Sequence, residues 1–403
     1  MASRNLWRNS RRTVITILAV MFATLFSIAM RGVQLGTYEK NISYALGLFS
    51  GFIQIQAPGF QDNPSLHKSI RIDSTLAKTL NTTPEITGWA PRIYADGLVS
   101  FRNNSLGAAL FGIDPDRERT VSSLQEKIRK GRFLLTDTTS DVVLGHTLME
   151  NLKAGIGDTL VILGQGYDGT LGNALFRIVG TIRTGSPEFD GMGIFLGLSR
   201  LGSLLEMGQR IHVVAVSLSS VYDVETVTAH LLTSLDTSSV NVLPWQKVMP
   251  DLKQGIDLDN ISGMIFLGIL IVVVAFGILN TVLMSVTERF REFGVLLSLG
   301  MPQTTLVIIV FLETVIITMI GIVVGNILAA GVNYYLIVHP IEFGGDYAAM
   351  MEQYGWLPSI HSSLKLSSFF NTSISIVVIA LLSTIYPLYR TYKLEPLKGI
   401  RYT

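Results

Sequence analysis

Cysteine is absent from the 403 residues. That excludes disulfides, thiolate-held zinc, iron–sulfur clusters and a thiol nucleophile, and it leaves no cysteine to carry a lipid. Charge is scarce as well. Asp, Glu, Lys and Arg make up 15% of the chain, against about 25% in a soluble domain. The formal net charge of +1 lacks the basic excess of a nucleic-acid binder. No G-x-x-x-x-G-K-[ST] loop, H-E-x-x-H helix or G-x-S-x-G elbow occurs, so the chain has no P-loop of its own and no recognisable hydrolase set. The histidines at 67, 146, 212, 230, 339 and 361 are scattered without a close pair. No catalytic, cofactor-binding or metal-binding set is expected in this chain.

What is present is apolar sequence, unevenly spread. Four runs reach the roughly 20 residues needed to cross a bilayer: 13–30, 261–287, 304–338 and 371–389. Only the third carries a charge, Glu313. Arg4, Arg8, Arg11 and Arg12 precede the first run, Arg289 and Arg291 separate the second from the third, and Arg390, Lys393, Lys398 and Arg401 follow the fourth. The positive-inside rule puts all three clusters in the cytoplasm. Both termini are then cytoplasmic, and residues 36–260 and the loop 339–370 lie outside. A cleaved signal peptide competes for the first run. That run is long for a signal core, and its removal would leave the basic clusters on inconsistent sides.

Residues 36–260 read as one or two α+β domains. Leu66, Ile70, Leu76, Ala77 and Leu80 predict an amphipathic helix over 64–81, and further helices are expected over 122–130 and 221–235. Strands are expected over 89–101, 106–113, 141–144, 159–163, 176–182 and 211–218. Gly164, Gly166 and Gly169 match G-x-G-x-x-G. They lead into another strand rather than a helix, so a hairpin is expected instead of a nucleotide loop.

Three membrane features have a physical rationale. Glu313 sits near the start of the third run, where a carboxylate needs a partner or water. A coupling or proton-relay role competes with a structural bond to Arg289 or Arg291, and the second is preferred so close to the interface. Gly321, Gly325 and Ala329 recur at four-residue spacing, which lets helices approach closely. Residues 288–300 open with alternating charge and continue with Phe293, Val295, Leu296, Leu297 and Leu299. Apolar residues on a short helix there call for a protein groove or the membrane surface.

The stretch NTVLMSVTERFREFGVLLSLGMPQ (280–303) resembles the signature of the FtsX/MacB-type permeases of ABC transporters, in which a transmembrane helix runs into a coupling helix of pattern ER-x-x-E-[IF]-G. The opening NLWRNSRRTVITIL, the tail YPLYRTYKLEPLKGIR and the FLET of the third run also resemble that family. So do GRFL, VVLGHTLMENLKAGIGDTLVI, YDGT and FRIVGTIRTG, which are similar to its MacB-like periplasmic domain. The pieces GFIQIQAPGFQDNPSL and DGTLGNALFRIVGTIRTGSPEFD resemble the lipoprotein-releasing LolC/LolE branch.

The resemblance implies an α-helical membrane protein with four transmembrane helices and an α+β MacB-like extracytoplasmic domain between helices one and two. The implied divisions are 1–35 (amino terminus and first span), 36–260 (periplasmic domain) and 261–403 (FtsX-like permease domain, with the coupling helix at 288–300). It implies a bacterial inner-membrane permease that works as a homodimer, or with a paralogous permease, on two copies of a cytoplasmic ATPase subunit. ATP and magnesium would be bound by that partner. Glu288, Arg289, Arg291, Glu292, Phe293, Gly294, Leu296 and Gly300 would form the coupling helix. The branch implies a lipoprotein or other lipid-bearing substrate, taken from the outer leaflet and passed to a periplasmic chaperone or adaptor. Its acyl chains would sit near Met21, Phe22, Leu25 and Phe26 of the first span and Met264, Leu267 and Ile271 of the second. The alternatives are MacB-like tripartite efflux of peptides or drugs, and an FtsX-like transducer that activates a cell-wall hydrolase.

Overall fold

The computed structural model describes residues 10–353 and 356–393. Arg4, Arg8, Lys398 and Arg401 lie outside them. Apart from single helical turns such as Pro115–Glu118 and Trp245–Val248, the elements in chain order are helix α1 (Ser10–Ala45), strands β1 (Ile53–Gln56) and β2 (Ile70–Arg71), α2 (Ser74–Thr82), β3 (Ile86–Phe101), β4 (Asn104–Ile113), β5 (Ile128–Gly131), β6 (Asp141–Gly145) and α3 (His146–Leu152). There follow β7 (Thr159–Gln165), β8 (Leu171–Ile182), α4 (Pro187–Met192), β9 (Gly193–Gly197), α5 (Leu198–Leu204), β10 (Arg210–Ile211), β11 (Val213–Leu218), α6 (Val224–Ser234) and β12 (Asn241–Pro244). The remainder is α7 (Pro250–Glu288), α8 (Phe290–Ser298), α9 (Gln303–Val338), β13 (Ile341–Glu342), α10 (Gly345–Gln353), β14 (Ser359–Ile360) and α11 (Leu366–Tyr392). The described residues of 39–255 and 343–358 form one compact unit, and those of 10–38, 256–342 and 359–393 form another.

Among the described residues four helices are long and apolar enough to cross a membrane: α1 with its continuation, α7, α9 and α11. α1, α7 and α11 exceed the apolar runs that announce them, the first two by the most. α1 continues through Arg31, Glu39 and Lys40, and α7 begins at Pro250 rather than 261. Hydropathy marks only the stretch that meets lipid, whereas backbone hydrogen bonding continues as long as nothing breaks it. The buried core runs through Val20 and Ala23 of α1, Val274, Ile278, Val282 and Val286 of α7, Leu306, Val310 and Ile322 of α9, and Ile376 and Ala380 of α11.

The unit of 39–255 and 343–358 is built on a mixed sheet that closes on itself. β3 pairs with β4, β4 with β9, β9 with β6, β6 with β8, β8 with β7, and β7 returns to β3 at Gly97↔Gly164 through Ser100↔Val161. β3 makes this possible by its length of 16 residues. Its first half pairs with β11, which leads to β1 and β12, and its second half seals the ring. Phe49, Phe111, Phe133, Val143, Val179 and Phe195 are among the buried residues of its core. Burial extends to a charged pair: Arg92 donates to both Glu118 carboxylate oxygens at 2.7 and 3.1 Å, and its guanidinium lies 3.8 Å from the Phe49 ring centre.

Three expectations are corrected here. The helix predicted over 64–81 is confined to α2, because Asp73 caps it by accepting from the Leu76 N–H at 2.7 Å. Before it come a loop in which Lys68 clasps the carbonyls of Gly59 and Asn63, and then β2, which pairs with β10. The helix predicted over 122–130 is a 3₁₀ turn, Leu124–Lys127, that passes into β5, whose Ile128 pairs with Ile182. The strand predicted over 211–218 is interrupted at His212, whose ring turns into the core. The glycine motif lies where β7 and β8 form an antiparallel hairpin, with Gly169 at φ 86° in the turn. The loop 339–370 contains α10, and residues 343–358 belong to the compact unit of 39–255.

Candidate functional site

The segment between α7 and α9 has two faces, and they separate the predicted coupling residues. α7 stops at Glu288, and Arg289, at φ −100° and ψ 6°, turns the chain into α8. Phe290, Phe293 and Gly294 are buried, with Leu296, Leu297 and Met301 packed against the same core. Arg291, Glu292, Val295 and Leu299 are exposed, Leu299 to 80%. Both sets follow helical spacing, so α8 is amphipathic with a mixed charged and apolar outer face.

The end of α8 explains Gly300. The Gly300 N–H donates to the Leu297 carbonyl and the Met301 N–H to the Leu296 carbonyl, each at 3.0 Å. This is a Schellman closure, and it needs a left-handed residue at Gly300, whose φ is 92°. Pro302 then precedes α9. Gly300 therefore shapes the turn, and Arg291, Glu292, Val295 and Leu299 present the surface.

Arg289 points inward. Its Nη1 donates to both carboxylate oxygens of Glu313 on α9, at 3.0 and 3.1 Å. The side chains are 13% and 10% exposed. Arg289 also reaches Glu292 at 3.4 Å and lies 4.9 Å from the Phe293 ring centre. Glu313 thus has a cationic partner within the chain. It ties the α7–α8 corner to α9.

The small residues of α9 meet α1. A side chain at Gly321 would meet Val20 at 2.7 Å, and one at Gly325 would meet Thr24 at 2.6 Å and the Met21 carbonyl at 2.8 Å. Ala329 and Asn333 are fully buried one and two turns further on. Asn333 donates to the Ile28 carbonyl at 3.3 Å and accepts from the Ser362 hydroxyl at 3.1 Å.

The predicted lipid-site residues are only partly brought together. Met264 and Leu267 line a cavity of about 300 Å³ with Ser27, Gln34 and Asn371. That wall is more polar than the greasy groove expected, and Arg31 beside it donates to Gln34 and Asn260. Ile271 borders a crevice of about 10 Å³ with Ala23 and Val274. Met21 is buried on α1, whereas Phe22 and Phe26 stack on each other, 6.2 Å apart, on its exposed face; Leu25 is half-buried. α7 itself is little covered: Ile261, Ile265, Ile269, Val273 and Phe276 are all exposed. Among the described residues, His, Asp and Glu form no group of three able to hold a metal.

Comparison with known proteins places two models on the chain. Residues 13–233 match a MacB-like periplasmic core domain, and residues 264–396 match an FtsX-like permease C-terminal domain. The chain is 23% identical to the lipoprotein-releasing system transmembrane protein LolC of Neisseria meningitidis serogroup B, over 94% of each chain. It is 26% identical to the macrolide export ATP-binding/permease protein MacB of Aggregatibacter actinomycetemcomitans, over 79% of this chain and 50% of that one. Among solved structures it is similar to the periplasmic region of MacB from Actinobacillus actinomycetemcomitans, with a TM-score of 0.39 and 21% identity over 54% of this chain and 98% of that one.

Proposed function

Since the chain belongs to the FtsX/MacB-like permeases of ABC transporters, we propose that it couples a separate cytoplasmic ATPase to mechanical work outside the bilayer, on a lipoprotein or another lipid-bearing substrate. The observation that carries the coupling is the outer face of α8. Arg291, Glu292, Val295 and Leu299 stand out from it, while Arg289, Phe293 and Gly294 fasten it to the helical core. A short amphipathic helix presenting charge and exposed Leu is suited to a groove on a partner protein. In this reading the ATPase binds ATP and magnesium, and both termini of the permease are cytoplasmic. ATP-driven closure of two ATPases moves α8, and the Arg289–Glu313 tie passes the motion to α9.

The lipid-bearing substrate is favoured by the relative of N. meningitidis, whose name places it in a lipoprotein-releasing system and whose alignment spans 94% of both chains. Physical scale agrees with an energy-driven step. Each buried CH₂ contributes roughly 0.8 kcal/mol, so a multiply acylated protein does not leave a bilayer unaided. The exposed apolar surface of α7 and the Phe22–Phe26 pair suit a lipid-facing role or the face of a second permease copy. The second reading, export across a tripartite duct, is supported by the MacB relative at 26% identity.

Reconstitution of the permease with its ATPase in liposomes carrying a radiolabelled lipoprotein tests the first reading. ATP-dependent transfer of label to a soluble acceptor chaperone is the expected result. ATP turnover with no transfer, in the presence of that acceptor, removes the lipoprotein reading.

A further inference from the structure

We propose that the outside of the closed sheet, where β3, β7 and β8 lie side by side, is the face through which the outer domains of two copies of this chain meet. The proposal rests on the reading above in which two permease copies act together, and it names the surface they share. Every residue it uses lies within 39–255.

The strand registers assemble that face. Leu98 pairs with Leu163, and Ser100 with Val161, across β3 and β7. Leu163 pairs in turn with Asn173, and Val161 with Leu175, across β7 and β8. Alternation along each strand sends these side chains to one side. Their neighbours Val99, Leu160, Ile162 and Phe176 go to the other and are fully buried. Leu98, Leu175 and Leu171 are 44%, 61% and 69% exposed. The solvated face of such a sheet ordinarily carries polar side chains, and a contiguous apolar patch on it marks a contact surface.

The charges at its corners say what covers it. Asp96 stands on β3 two residues before Leu98, and Arg177 stands on β8 two residues after Leu175. β3 and β8 both run antiparallel to β7, so these two residues mark diagonally opposite corners of the patch. Both are exposed, and neither has a side-chain hydrogen bond or ion pair with another described residue. A two-fold axis lying in the face, at right angles to that diagonal, sets Asp96 of each copy against Arg177 of the other. Leucine then meets leucine between them. The match is made twice, as an isologous contact requires. An anionic membrane surface would be repelled by Asp96. An unrelated protein would need both charges in the reverse order around an apolar centre, which a second copy supplies by symmetry.

The absence of cysteine makes the test clean, since every introduced thiol is unique in its chain. Two full-length chains with different tags are co-expressed, one carrying Asp96→Cys and the other Arg177→Cys, and the membranes are oxidised with copper phenanthroline. A disulfide-linked band bearing both tags is expected. Two controls are expected to give none: Asp96→Cys paired with itself, and Glu225→Cys, exposed on α6, paired with Arg177→Cys. In the mixed pair one ion pair remains, from Arg177 of the first chain to Asp96 of the second. Adding Arg177→Asp to the first chain is expected to slow cross-linking about fivefold, the scale of one exposed ion pair. Adding Asp96→Arg to the second is expected to restore it. Leu98→Cys with Leu175→Cys supplies a second pair if a first variant fails to fold. A mixed band absent from both pairs, one no stronger than in the controls, a link to a different protein instead, or a charge swap that restores nothing overturns the proposal. No cargo enters these readouts. A permease that forms the link but releases no lipoprotein refutes only the lipoprotein reading, and the opposite result refutes only this face.

Discussion

Arg289 and Glu313 meet across 24 residues of sequence, with one guanidinium nitrogen 3.0 and 3.1 Å from the two carboxylate oxygens. Both side chains are at least 87% covered. Removing one partner of such a pair leaves a charge stranded, at a cost of about 3–5 kcal/mol. Glu313→Leu and Arg289→Leu are each expected to lower the thermal stability of the permease in nanodiscs. The double variant is expected to be closer to wild type than the sum of the two. Strictly additive losses would show that the contact carries no coupling.

The outer face of α8 gives a separate prediction, because its side chains lie outside the core. Glu292→Lys is expected to abolish association with the ATPase in a pull-down while costing the permease no more than about 1 kcal/mol of stability, the scale of its exposed contact with Arg289. Phe293→Ala is expected to do the reverse first. It removes a side chain 1% exposed and should cost about 3–5 kcal/mol of stability. Retained association in the Glu292 variant would remove the docking assignment.

Legibility in the sequence followed the range of the interactions. Uncharged runs announced the four candidate spans because hydropathy is a local property. Their ends were not legible, since α1 runs on past Lys40 and α7 starts at Pro250. The alternating charge and the apolar residues of 288–300 marked a short amphipathic helix but not its phase. Phe293 faces inward and Leu299 outward, and that phase is set by contacts with other helices, the Arg289–Glu313 bond and the apolar core among them. The closure of the sheet by β7 against β3 and the Arg92–Glu118 pair depend on contacts distant in sequence, and no periodicity encodes them. The amides of β1 left one trace. In IQIQ, Gln54 and Gln56 occupy one face of β1 and the isoleucines the other, yet all four are buried, which is unusual for glutamine.

Close helix contact is testable at Gly325. A side chain there would run into Thr24 at 2.6 Å and the Met21 carbonyl at 2.8 Å. Overpacking of this kind costs about 1–3 kcal/mol. Gly325→Leu is expected to lower the melting temperature, whereas Gly331→Leu, where nothing lies within 4 Å of the added carbon, is expected to leave it near wild type. Equal effects at the two positions would show that α1 and α9 are not held together by this stripe.

His212 supplies a pH dependence for the outer domain. Its Nδ1 accepts from the Tyr94 N–H at 3.0 Å, its Nε2 faces the Leu66 carbonyl at 3.2 Å, and its ring stacks on Phe60. Burial, the larger influence, lowers its pKa, and the Leu66 carbonyl opposes that only in part. The folded state therefore holds a neutral imidazole where the unfolded chain begins to take up a proton, near pH 6.5. Below that pH the unfolded state binds more protons, so stability falls as pH falls, by up to about 1.4 kcal/mol per unit until the folded-state pKa is reached. Denaturation followed by the fluorescence of Trp89 and Trp245, both buried in this domain, is expected to show that loss between neutral and mildly acid pH. His212→Gln is expected to be less stable at pH 8, where the imidazole bonds are lost, and to have a shallower slope below pH 6.5. An unchanged slope in the variant would assign the acid sensitivity to other groups.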